Sequence, residues 1–74
     1  MSQTLMKMAN EYRENAALLW ARIGELKEQL SITKNTLERM QIRGRILHYE
    51  SVYADNMYTA RYLENYHRGG EEWH

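Results

Sequence analysis

From Leu5 onward, apolar or small residues return at alternating steps of four and three: Leu5, Ala9, Tyr12, Ala16, Leu19, Ile23, Leu26 and Leu30. A helix turns once every 3.6 residues, so this series lies along one side of a single helix for more than three heptads. Glu11, Glu14, Arg22, Glu25 and Glu28 fall off that line and read as its wetted side. The spacing predicts a first helix over about 4–30. The text then changes to Ser31-Ile32-Thr33-Lys34-Asn35-Thr36, where β-branched and hydroxyl side chains replace strong helix formers and compete for backbone hydrogen bonds. A turn is expected at about 31–35. Asn35 followed by Glu38 has the spacing of a capping box. The competing reading is one continuous helix, because Thr33, Leu37, Met40, Gly44 and Leu47 carry the spacing on without a skip. A lone rod of that length has nothing to bury its stripe against except another chain, and this favours the hairpin.

A second helix is predicted over about 36–67, with Ile42, Ile46, Tyr49, Tyr53, Asn56, Ala60, Leu63 and His67 as its main stripe. Gly69-Gly70 has the stop chemistry of glycine just past a last turn, leaving 68–74 as a flexible tail. Leu37, Met40 and Leu47 lie opposite the main stripe in the first half of this helix. Tyr58, Tyr62 and Tyr66 form a ladder of four-residue steps, directed away from Tyr53 and Ala60. Two helices side by side make one seam, so apolar residues on a second side call for another polypeptide. The expected architecture is all-α: a single antiparallel two-helix hairpin over 1–74 that dimerises into a four-helix bundle.

Composition narrows the chemistry. The chain has 74 residues, no Cys and no Pro, and ten basic against ten acidic side chains. Disulfides and thiolate metal sites are excluded. No apolar run approaches the roughly 20 residues of a bilayer span, the N-terminus lacks the pattern of a secretion signal, and a cytoplasmic location is expected. Neither helix joins a bare apolar face to a Lys/Arg-rich one, which argues against a membrane-surface role. There is no cysteine nucleophile, no glycine-rich phosphate loop and no serine on a strand-to-helix turn, so neither enzymatic activity nor a cofactor is expected, and no catalytic residue is assigned.

Two polar patterns carry alternatives. Glu64-x-x-His67 has the spacing of a carboxylate-imidazole pair in di-iron bundles, with Glu11 and Glu14 as the available further donors. A histidine ending a core stripe and capping the last carbonyls explains it more simply, and no metal site is assigned. Residues 31–48 hold Lys34, Arg39, Arg43 and Arg45 against Glu38, a net +3, while residues 49–74 carry a net −3. The basic turn end is the candidate nucleic-acid contact, yet a neutral chain with an acidic far end is a poor fit to a phosphate backbone. Tyrosine supplies apolar area with a polar tip and is enriched at interfaces. The ladder therefore reads either as part of a homodimer core or as a contact with a different protein. Asn56 either fixes register in a partner seam or bonds a neighbouring carbonyl.

The run Met8-Ala9-x-Glu11-Tyr12-Arg13-x-x-Ala16-x-Leu18-Leu19-x-x-Arg22-Ile23-x-Glu25-Leu26, with Tyr62-Leu63-Glu64-Asn65-Tyr66, resembles small uncharacterised helical proteins of bacterial mobile elements and prophages. The resemblance implies a protein that works by binding another protein, as a regulator, adaptor or inhibitor of host defence. It implies no activity and no functional residue. The expected function is thus a non-catalytic protein-interaction module whose surface comprises Tyr58, Tyr62, Tyr66, Leu37, Met40 and Leu47. The alternative is a small nucleic-acid-binding regulator using Lys34, Arg39, Arg43 and Arg45.

Overall fold

The computed structural model describes the backbone of residues 2–72 and the side chains of residues 4–66. It is an all-α hairpin of two helices, α1 (Ser2–Ile32) and α2 (Thr36–Glu72), packed against each other along their length. The described residues contain no strand.

The reversal is made by the local chemistry of the turn. The Ser31 hydroxyl donates to the Glu28 carbonyl (2.6 Å), and the Thr33 hydroxyl and amide both donate to the Gln29 carbonyl (2.6 and 3.0 Å). The Thr33 bonds occupy a carbonyl that the end of a helix leaves unpaired, and the Ser31 hydroxyl shares one just before it. Asn35 then caps α2: its Oδ1 accepts the Glu38 amide at 3.0 Å, and its carbonyl accepts the Arg39 amide at 2.9 Å. Arg39 ties the two ends together by donating from Nη1 to the carbonyls of Leu30 and Thr33 (2.6 and 2.8 Å). Cations and donors favour a helix C-terminus, and here the donor comes from the next helix.

The seam is the one the spacing specifies. On α1, Ala9, Ala16, Ile23 and Leu26 are buried, and Leu5, Tyr12, Leu19 and Leu30 are half-buried. On α2, Ile46 and Ala60 are buried, with Ile42, Tyr49, Tyr53, Asn56 and Leu63 half-buried; the side chain of His67 lies outside the described residues. The densest part lies nearer the turn, where Ile23, Leu26 and Ile46 pack with Leu30, Ile42, Tyr49 and Tyr53. Toward the open end the buried positions are alanines, and an ion pair adds a cross-link. Arg13 grips Glu64 with two parallel bonds, Nε to Oε1 at 2.5 Å and Nη2 to Oε2 at 2.9 Å. The fork geometry fixes the pairing of α1 with α2 in a way that a point charge would not.

One boundary differs from expectation. The α2 backbone stays helical through Gly69 and Gly70 to Glu72, so neither the predicted end at 67 nor a tail beginning at 68 describes this chain; Trp73 and His74 lie outside the described residues. Glycine ends a helix when the backbone turns left-handed there. Continuing as helix costs only about 1 kcal/mol per glycine relative to alanine.

The result is a rod of 59 × 14 × 13 Å with a radius of gyration of 16.9 Å. A compact domain of this length would have a radius near 11 Å. Leu26 is fully enclosed, so Leu26→Ala is expected to destabilise the fold by about 2–5 kcal/mol. Leu18→Ala, at a residue 71% exposed, is expected to change stability by no more than about 0.5 kcal/mol. Urea unfolding followed by circular dichroism measures both.

Candidate functional site: the outer face of α2

The large apolar side chains that the hairpin leaves in water are unevenly placed. Six of them, Leu37, Met40, Leu47, Tyr58, Tyr62 and Tyr66, belong to α2 and are between 59% and 73% exposed. These are the six interface candidates from the sequence, and none enters the hairpin seam. On α1 the exposed large apolar residues are more scattered: Met8, Leu18, Trp20 and Ile32.

Because α2 is continuous, the two α2 groups belong to one surface. Leu37, Met40, Gly44, Leu47, Ser51, Ala54 and Tyr58 follow one another at steps of three and four for three full heptads, and every one is exposed. Tyr62 extends the line by a step of four. At about 100° per residue this stripe lies opposite the stripe through Ile46, Tyr53 and Ala60 that faces α1. The tyrosine ladder, with its successive four-residue steps, drifts about 40° per step, so Tyr66 stands to one side of the line that Tyr58 begins. Sequence reasoning followed this face from Leu37 through Gly44 to Leu47 and found the tyrosines beyond, but missed Ser51 and Ala54, which carry little apolar signal. The signal that joins them is the seven-residue repeat Leu37, Gly44, Ser51, Tyr58.

Gly44 is informative. A Cβ built there would meet nothing within 4 Å, so the hairpin itself gives no reason for a glycine. Mid-helix glycine costs about 1 kcal/mol against alanine. Gly24 on α1 has the same open space, but it is followed at i+3 and i+4 by Lys27 and Glu28, whereas Gly44 sits between Met40 and Leu47.

Two shallow grooves run beside the hairpin seam. One is lined by Asn15, Leu18, Leu19, Arg22, Tyr49, Val52 and Asn56. The other is lined by Arg13, Ala16, Ala17, Trp20, Tyr53 and Met57, with the Trp20 and Tyr53 rings in tilted contact at 5.2 Å. Asn56 donates to the Val52 carbonyl at 2.8 Å, the ordinary outcome for a helical asparagine, and needs no partner chain to satisfy that donor.

The charged candidates are dispersed. Arg39, half-buried, is committed through Nη1 to the end of α1. Lys34, Arg43 and Arg45 are exposed, but Arg43 and Arg45 are two residues apart on a helix and point to different sides. Glu64 holds Arg13 with both carboxylate oxygens, and Glu11 and Glu14 are exposed on α1. Among the described residues no group of three or more His, Asp or Glu is placed to hold a metal ion. The hydrogen bonds and charge of Glu64 raise the Arg13 pKa, and those of Glu25 raise that of Arg22. A raised arginine pKa keeps the pairing cation in place everywhere below its already high ordinary value, so neither arginine titrates near neutrality. No helix among the described residues is long and apolar enough to cross a membrane.

Compared with protein-family models, curated proteins and solved structures, the chain matches none. The dispersal of the basic residues leads to a specific expectation. At about 50 mM salt, duplex DNA and single-stranded RNA should migrate unshifted with this protein, because a steep salt dependence requires several phosphate contacts made together. A gel-shift titration against salt checks it, and binding that collapses as salt rises would restore the basic turn end as a contact surface.

Proposed function

We propose that this protein is a non-catalytic interaction module: a self-associating helical hairpin that acts by contact with protein, as a regulator, adaptor or inhibitor in a bacterial setting. One observation carries the reading. An entire face of α2, with six large apolar side chains at least 59% exposed, is unused by the fold. Exposed apolar surface of this kind, half of it tyrosine, marks protein contact sites. Area agrees with it. The chain exposes 6045 Å², whereas a compact monomer of 8.9 kDa would expose about 4,800 Å². The excess, about 1,200 Å², is more than the roughly 800 Å² that each partner contributes to a standard stable interface. Self-association takes up the stripe between Leu37 and Tyr58, and the displaced Tyr66 and the charged turn end are left for a heterologous protein.

Mass in solution tests the first step. Light scattering is expected to give a multiple of 8.9 kDa. Replacing Tyr58, Tyr62 and Tyr66 together by Ala should keep helicity, since none lies in the seam with α1, while lowering the assembly's affinity by at least tenfold. A wild-type chain that stays single at the highest accessible concentration would overturn the reading.

A further inference from the structure

The outer stripe of α2 is specific enough to say how two copies meet. We infer that α2 pairs with α2 of a second copy, antiparallel, about a two-fold axis near residue 49, so that the four helices stand in a row with the two α2 helices at the centre. This rests on the reading of that face as a self-association surface, and it adds orientation, register and shape.

Size sets the register. Turning the stripe end over end about residue 49 places the six positions from Met40 to Tyr58 against one another in three kinds of pair, with Leu37 falling opposite Arg61. Met40 meets Tyr58 of the second copy, a sulfur-to-ring contact. Gly44 meets Ala54, two residues that let backbones approach closely. Leu47 meets Ser51, a large side chain over a small one. The exposed glycine that the hairpin does not explain then has a use: the open space above it is where the other helix passes.

Charge sets the direction. Under this axis residues 31–48 lie against residues 50–67 of the second copy. Leaving aside Arg39 and Glu64, which are engaged with α1, the first segment is net +2, from Lys34, Arg43 and Arg45 against Glu38, and the second is net −1, from Glu50 and Asp55 against Arg61. A parallel pair would stack +2 on +2. Near the axis Glu50 approaches its own copy, and there the Lys27 ammonium lies 3.7 Å from each Glu50 as countercharge.

The shape follows from the angle between the two stripes of α2. They are about 180° apart, so α1 and the second α2 take opposite sides of the helix. A closed square bundle needs two contact stripes about 90° apart on every helix. The expected assembly is therefore a row, α1 beside α2 beside α2 beside α1, which differs from the four-helix bundle that composition and spacing suggested.

The natural chain has no cysteine, so paired substitutions read the geometry directly. Gly44→Cys and Ala54→Cys are both at exposed positions, and circular dichroism confirms that each variant is folded before use. Each variant is oxidised alone, then the two are refolded together and oxidised, with light scattering run on the reduced samples. The inference expects dimers in solution, little disulfide from either variant alone, and a disulfide-linked species in the mixture enriched at least tenfold over either. Dimers that cross-link efficiently within each single variant mean parallel helices, and dimers that cross-link in no sample mean another face; both overturn the inference and leave self-association standing. Single chains at every concentration overturn the inference and the self-association reading together.

Discussion

Two helices laid side by side have one seam, and everything about this protein follows from that limit. Each rod hides the side that faces its neighbour. For α1 that is nearly sufficient, because most of its outer surface is charged or small. For α2 it is not, because the helix carries a second heptad stripe on the side turned from α1. No other element among the described residues covers that stripe.

The hairpin was readable because its determinants are local. The interval pattern assigns all eight α1 seam residues correctly, and Asn35 places the start of α2 by an interaction reaching only three residues along the chain. What spacing does not contain is the contact made across the seam. Arg13 and Glu64 are 51 positions apart and nothing local connects them, so the ion pair that registers the open end was not foreseen. Arg39 shows the same limit from the other side. In sequence it is one more cation in a basic cluster; in the fold it closes the end of α1 and belongs to the turn. The glycine pair near the C-terminus misled for a different reason: glycine permits a helix to end without compelling it.

The outer face of α2 was half legible. Hydrophobicity marks the ends of the outer stripe of α2 and is silent through Gly44, Ser51 and Ala54, because a position that serves by being small resembles one that does nothing. Only the continuity of α2 through all of them makes their equal spacing meaningful. In the proposed pairing the same three residues give the stripe its register. A face of uniform leucines would bury more area and accept several offsets, while alternating bulk accepts few.

Small size and marginal burial tie association to folding. Among the described residues the large side chains fully enclosed within one copy are Ile23 and Leu26, a small core for the ordering of so many backbone positions. Covering the outer stripe of α2 would remove apolar area from water without ordering any new backbone, since the helix that bears it is already formed. Each unit of area buried there would therefore return more net stability than the same area buried while the hairpin forms. On this argument Gly44, which weakens the isolated helix, is tolerated because the closer approach it permits acts where the entropic cost of helix formation has already been met.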